Sequence, residues 1–389
     1  MSGGGSRLAV YTDYLYGRKG DEVRADRAFA LFVGRLAAGF DRVIAVGRLD
    51  PTGEAAKYPI GESVEFVELP FYAALTNAFA VLSAMARSLR IYWRVLGEVD
   101  VVWLLGPHPL AVAFALIALA RRRRVVLGVR QDMVPYVRAR RPGKRALLLV
   151  AMALEGSFRL LGRVCPVVVV GPTIARNYRH SVAVLDVAIS LIPAADVVAP
   201  EIALSRDYGG TLTLLAVGRL DPEKNPLILA DILAALNAAE DRWRLVVCGE
   251  GSLQEELAAR LLELGVADRA DLRGYVPNDQ GLGDLYRSSH VFLHVSWTEG
   301  LPQVLLEALA AGLPTVATDV GGVGEAIGPA ALHVPPGDPA AAVAALGRIG
   351  GEAELRETLI RAGHAYVSDH TAELESRRVA RFLQGAAAS

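Results

Sequence analysis

The chain has only two cysteines in 389 residues, Cys165 and Cys248. They fall in different predicted domains with no pairing pattern, so a disulfide framework is not expected. No apolar run reaches the ~18–20 residues that a bilayer-spanning helix needs. The opening Met1-Ser2-Gly3-Gly4-Gly5-Ser6 lacks the charged and apolar regions of a signal peptide. Seven histidines are scattered without metal-ligand spacing, and no Asp-x-Asp pair follows a strand in the C-terminal half. No bound metal or cofactor is therefore expected. Net charge is also nearly absent, at −1, but that balance hides a division. Up to Ser190 there are 26 Lys and Arg against 15 Asp and Glu, and beyond it 15 against 27. An asymmetry of this kind points to an anionic partner for the basic half.

What is present is apolar and regularly punctuated. Hydrophobic residues make up 52% of the chain, ample for two cores at roughly 100–200 residues per domain. Short apolar runs alternate with helical stretches, the βαβ signature of parallel sheets. In the N-terminal half, strands are expected near Leu8–Tyr11, Arg42–Val46, Val64–Leu69, Val101–Leu105, Val125–Val129 and Val167–Val170. Helices are expected near Glu22–Ala38, Leu75–Leu96 and Lys144–Leu161. Pro193, Pro200, Gly209 and Gly210 interrupt the pattern and mark a boundary. The domains are thus 1–195 and 196–371, with a last helix in 372–389.

Four strand ends in the C-terminal half carry glycine or charge. Leu212–Val217 runs into Gly218-Arg219-Leu220-Asp221-Pro222-Glu223-Lys224-Asn225, which sets two cations on the loop after a strand. Ligands bind at that edge of open α/β sheets. Arg244–Cys248 ends in Gly249-Glu250-Gly251, a glycine turn that packing explains as readily as phosphate binding. A third strand ends at Gly274-Tyr275-Val276-Pro277. A fourth, Val291–Val295, leads through Ser296 to Glu299-Gly300-Leu301-Pro302-Gln303 and on to Glu307. Pro302 suits the first turn of the apolar helix that follows. Gln303 and Glu307, four apart, share one face of it. A glutamate in such a helix needs a partner. Together these ends describe a cleft for a nucleotide diphosphate.

With Gly218-Arg219-Leu220, Lys224-Asn225, Gly249-Glu250-Gly251, Gly274-Tyr275-Val276 and Glu299 to Glu307, the stretch Thr211–Gly328 resembles the retaining glycosyltransferases of family 4. The resemblance implies an α/β GT-B fold, two Rossmann-like domains with parallel sheets facing a cleft. It implies transfer of a hexosyl group from a UDP- or GDP-sugar to an acceptor hydroxyl with retention, in cell-envelope or polysaccharide synthesis. Arg219 and Lys224 would hold the diphosphate, Glu299 the donor sugar and Glu307 the ribose. Backbone groups at Tyr275 and Val276 would meet the base, and those at Gly300, Leu301, Pro302 and Gln303 the phosphate and sugar. Gly218, Gly249 and Gly251 belong to the same donor set. The last helix would cross back to the N-terminal domain, and the compartment would be the cytoplasm.

The acceptor side departs from the family. Paired glycines in the first loop are replaced by Gly17 and Gly20 at a different spacing, after Asp13 at the end of the first strand. A histidine expected after Val125–Val129 is replaced by Arg130-Gln131-Asp132. Gln131 and Asp132 are candidates for its place. His108, in Gly106-Pro107-His108-Pro109, is a candidate for an acceptor hydroxyl or equally a capping histidine. Arg121 to Arg124 and the cluster Arg138, Arg140, Arg141, Lys144 and Arg145 flank apolar helices. Such a surface fits an anionic membrane at its inner face, with a glycan or lipid-linked acceptor, or else solvated helix ends. No nucleic-acid fold accompanies the basic residues, so nucleic acid is not an expected partner. Two alternatives share the architecture: a nucleotide-sugar epimerase and a non-catalytic sugar-nucleotide-binding protein.

Overall fold

The computed structural model describes residues 6–53, 56–71, 78–141, 143–277 and 280–388. The chain folds into two units: Met1–Met133, Ala146–Leu191 and Ala372–Ser389 form the first, and Val134–Arg145 with Ile192–Thr371 form the second. Neither unit is one continuous stretch of chain. The expectation for Met1–Gly5 and the Leu75 start of the second predicted helix lie outside the described residues.

The first unit is built on strands β1 (Arg7–Lys19), β2 (Glu22–Ala25), β3 (Arg42–Leu49), β4 (Tyr58–Pro59), β5 (Val64–Leu69), β6 (Val101–Gly106), β7 (Arg124–Val129), β8 (Val167–Val170) and β9 (Val184–Val187). Seven are parallel in the order β5-β3-β1-β6-β7-β8-β9. The four valines of β8 are all buried, as a strand covered on both faces requires. Sequence order reverses between β1 and β6, which makes a crevice at their carboxyl ends.

One stretch departs from expectation. Glu22–Ala25 is not helical: it pairs antiparallel with the end of β1, and the helix occupies only Phe29–Leu36. The residues read as a first loop, Tyr16 to Asp21, are therefore mostly the end of β1 and its hairpin turn. Asp13 lies inside β1 rather than at its end. The second predicted helix spans Ala78–Val95 and the third Arg145–Gly162.

The second unit holds β10 (Leu212–Val217), β11 (Trp243–Cys248), β12 (Ala270–Leu272), β13 (Val291–His294), β14 (Thr315–Thr318) and β15 (Leu332–Val334). They form a parallel sheet in the order β12-β11-β10-β13-β14-β15. Parallel neighbours require crossovers, and helices such as Ile228–Ala239 and Gln303–Ala310 supply them. Its core gathers Leu214, Leu233, Trp243, Leu245 and Val316. Here the order reverses between β10 and β13. Those are the strands whose following loops carry the predicted charges.

Candidate active site

The loops after β10 and β13 straddle the reversal point of the second sheet, and a partly buried ion pair joins them. Lys224 Nζ bonds Glu299 Oε1, which also accepts from Ser296 Oγ at 2.8 Å and His294 Nε2 at 3.2 Å. Burial pushes the Glu299 carboxyl up, but Lys224 and His294 outweigh it and hold the group well below the usual carboxylate range. Because Glu299 is ionised, His294 carries its proton on Nε2 to donate this bond. His294 ends β13 and is almost fully buried. No spacing rule pointed to it.

Arg219 is also held by carboxylates. Its Nη1 bonds Asp221 Oδ2 and its Nη2 bonds Glu223 Oε1 at 2.7 Å. Glu223, whose side chain is 1% exposed, also accepts the Trp297 backbone N–H through its carbonyl oxygen at 2.9 Å. That bond ties the β10 loop to the β13 loop. Arg140 approaches the same two acidic side chains, with Nη1 3.4 Å from Glu223 Oε1 and Nη2 3.6 Å from Asp221 Oδ2. Asp221, Glu223 and Arg140 were not expected as site residues.

The glycine turn after β11 is explained by packing. A Cβ at Gly249 would lie 1.8 Å from the Gly218 carbonyl oxygen, so the β11 loop can lie directly against the β10 loop only without a side chain. Gly251 packs similarly on Leu220. Gly249 N–H donates to the Gly274 carbonyl at 2.7 Å, which brings the half-buried Tyr275 and Val276 to the same sheet edge. Gly321, unmarked in the sequence, underlies the β13 loop: it has φ +59°, and a Cβ there would lie 1.7 Å from the Glu299 carbonyl oxygen.

Gly300 and Leu301 are buried in that loop. Pro302 does not enter the first helical turn; it caps the helix Gln303–Ala310 in an extended conformation. The first N–H groups of a helix lack intrahelical acceptors, so this end presents donors to an anion. Glu307, on the face of Gln303, finds its partner in the Tyr286 hydroxyl, which donates to Oε2 at 2.8 Å. Burial still raises the Glu307 carboxyl above its ordinary value. Tyr286 is nearly fully buried and was not singled out in the sequence.

In the first unit, Tyr11 and His108 span the other reversal point. His108 Nδ1 accepts the Leu110 backbone N–H at 3.3 Å and lies 3.0 Å from the Tyr11 hydroxyl. It caps the helix Pro109–Ala120. With Nδ1 as acceptor, the neutral ring carries its proton on Nε2, which makes that atom a donor. Burial lowers the His108 pKa against an opposing pull from Asp13. Asp13 is exposed, and its backbone carbonyl accepts from Arg48 Nη2 at 2.7 Å. Gln131 and Asp132 follow β7; the Asn177 amide reaches Asp132 Oδ1 at 3.2 Å, and burial raises that carboxyl. Gly17 pairs with Arg24 in the hairpin and packs on Gly53, while Gly20 turns the hairpin with φ +63°. Neither glycine belongs to a strand-to-helix loop. Among the described residues, no group of three or more metal-ligating side chains converges.

Residues 204–365 match the family described as glycosyl transferases group 1. The match covers less than half of the chain and falls within the second unit. The D-inositol 3-phosphate glycosyltransferase of Acidothermus cellulolyticus is 36% identical over 164 residues, 39% of this chain and 36% of that protein. The lipopolysaccharide 1,6-galactosyltransferase of Escherichia coli is 35% identical over 162 residues, 40% of this chain and 45% of that protein. The chain thus spans less than half the length of these curated relatives. Likeness of fold extends further. Sucrose-phosphate synthase from Thermosynechococcus elongatus superposes with TM-score 0.74 over 99% of this chain and all of that one, at 18% identity. Anabaena HepE in complex with UDP gives 0.69 over 97% of this chain and all of that one, at 16%. The chain therefore has the GT-B fold, with two Rossmann-like units.

Proposed function

We propose that this chain transfers a hexosyl group from a nucleotide-diphosphate sugar to an acceptor hydroxyl with retention of configuration. The carrying observation is the partly buried Lys224–Glu299 pair at the reversal point of the second sheet, with Arg219 on the same loop and the start of the helix Gln303–Ala310 following Glu299. In this reading the bond from the anomeric carbon to the phosphate oxygen breaks, and its electron pair leaves with the diphosphate. Arg219, Lys224 and the helix N–H groups stabilise that growing charge, each worth several kcal/mol at most, about the effect of one oxyanion donor. The acceptor oxygen bonds the same face of the sugar, and its proton passes to the departing phosphate oxygen. Glu299 holds sugar hydroxyls as an acceptor, since it is ionised. Glu307 meets the ribose, and His108 Nε2–H, with Asp13, Gln131 and Asp132, lines the acceptor side. The donor half is the second unit and the acceptor half the first. UDP is the favoured base carrier, because the HepE structure, similar in fold, contains it. A role in polysaccharide or lipopolysaccharide assembly accords with the E. coli relative.

Calorimetric titration of UDP, GDP and ADP into the whole protein and into Arg219→Ala tests this reading. One nucleotide should bind the wild type, and the variant should lose at least about tenfold in affinity, as for a charge-assisted bond of about 1.5–3 kcal/mol. Binding of none of the three would sink the donor assignment. Turnover of donor alone into an epimer would favour the epimerase. Nucleotide binding without turnover on any acceptor would favour a binding protein.

An anionic membrane surface is part of the proposal. No helix among the described residues is long and apolar enough to cross a membrane. The helix Arg145–Gly162, however, leaves Leu147, Leu149, Val150 and Met152 exposed, and Arg138, Arg141 and Lys144 precede it in the chain. Apolar side chains beside basic ones suit an interfacial helix. Co-sedimentation with phosphatidylglycerol vesicles should exceed that with phosphatidylcholine, and Leu149→Ser with Met152→Ser should abolish it. Equal recovery with both lipids would remove the membrane from the proposal.

A further inference from the structure

Two arginines compete for the same two carboxylate oxygens in the second unit. Arg219 holds Asp221 Oδ2 and Glu223 Oε1 closely, and Arg140 stands 3.6 and 3.4 Å from these same atoms. Arg140 arrives on Val134–Arg145, a segment that packs within the second unit although its sequence neighbours on both sides belong to the first. Its guanidinium also bonds the Tyr136 hydroxyl, so it has a fixed approach. Glu223 has a side chain 1% exposed, and its Oε2 has no hydrogen-bond partner among the described residues. A buried carboxylate of this kind cannot lose its cation without a large penalty.

That creates a conflict for donor binding. A diphosphate that takes the Arg219 fork removes it from Asp221 and Glu223. Two acidic groups would then stand without their cation beside the incoming negative charge. The formal charges of Arg140, Arg219, Asp221 and Glu223 sum to zero, and without Arg140 the cluster is −1. We propose that Arg140 is a positioning residue for donor binding: it takes over Asp221 and Glu223 as Arg219 turns to the diphosphate. The inference rests on the donor reading above. It assigns no contact between Arg140 and the substrate. The two distances, longer than those of Arg219, describe a cation already in place and not yet fully engaged. Lysine in place of Arg140 would keep the charge but reach only one carboxylate at a time.

The test is titration of UDP, GDP and ADP into the full chain as wild type, Arg140→Ala, Arg140→Lys, Arg219→Ala and the double variant Arg140→Ala with Glu223→Gln. Thermal denaturation of each reports whether the fold survives. Arg140→Ala should weaken nucleotide binding on the order of tenfold or more, the effect of stranding a buried charge. Arg140→Lys should fall between it and wild type. Glu223→Gln should restore most of the affinity in the double variant, because the charge that Arg140 neutralises is gone. A merely structural Arg140 would show no such rescue. Wild-type affinity in Arg140→Ala, or a double variant no better than the single one, overturns the proposal. If Arg219→Ala loses nucleotide while Arg140→Ala keeps it, only this inference fails. If the wild type binds none of the three, the donor reading and this inference fall together.

Discussion

His108 uses its two ring nitrogens for separate tasks. Nδ1 caps a helix and faces Tyr11, and Nε2 keeps the proton. Replacement by alanine removes the cap and should cost about 1 kcal/mol of stability. Asparagine supplies a capping oxygen without the imidazole N–H, so His108→Asn should recover the stability in urea denaturation while transfer activity stays reduced. Full activity in His108→Asn would leave the residue with a capping role alone. The same separation explains what could be read from the chain. Arg219, Lys224 and Glu299 were legible because glycine and charge directly follow an apolar run. His294 was not, since a single histidine at the end of an apolar strand has no spacing that marks a site, and Tyr286 and Arg140 reach the site from distant positions. Nothing in local spacing couples Arg140 to Glu223, 83 residues away.

At the scale of elements, the parallel strands built from unbroken apolar runs were legible. Val101–Leu105 and Val167–Val170 read as unbroken apolar runs and appear as β6 and β8. Short strands that carry charged or polar residues were not. Glu22–Ala25 alternates charged and apolar residues as a strand does, but four residues are too few to show that period against the helix that follows, and pairing with β1 makes them a strand. β9, β14 and β15 are three or four residues long, too short for a period to register. Loops at the site depend on direct backbone contact between elements. Gly321 places the turn after β14 against the Glu299 carbonyl, in a left-handed conformation. A side chain there adds about 1–2 kcal/mol of backbone strain before the clash is counted. Gly321→Ala should therefore lose nucleotide binding and at least about 2 kcal/mol of stability. A variant with unchanged affinity would show that the β13 loop can shift without harm to the site.

At the scale of the molecule, the helix Ala372–Ala388 completes the first unit. Val379 and Leu383 are fully buried, Arg378 Nη2 donates to the Asp186 carbonyl at 3.0 Å, and Glu373 pairs with Arg35. Deletion of residues 372–389 uncovers the apolar surface under Val379 and Leu383. At about 1.5–3 kcal/mol for each buried aliphatic side chain, the first unit should lose about 3–6 kcal/mol. Calorimetry should then show a lowered transition, with nucleotide binding by the second unit retained below it. A single unchanged transition would mean that this helix contributes little. The threading also bears on birth of the protein at the ribosome. Domains generally fold in order of emergence, the N-terminal one first. Here the helix Ala372–Ala388, which belongs to the first unit, follows every residue of the second unit in the chain, so the first unit is complete only after all of the second has emerged.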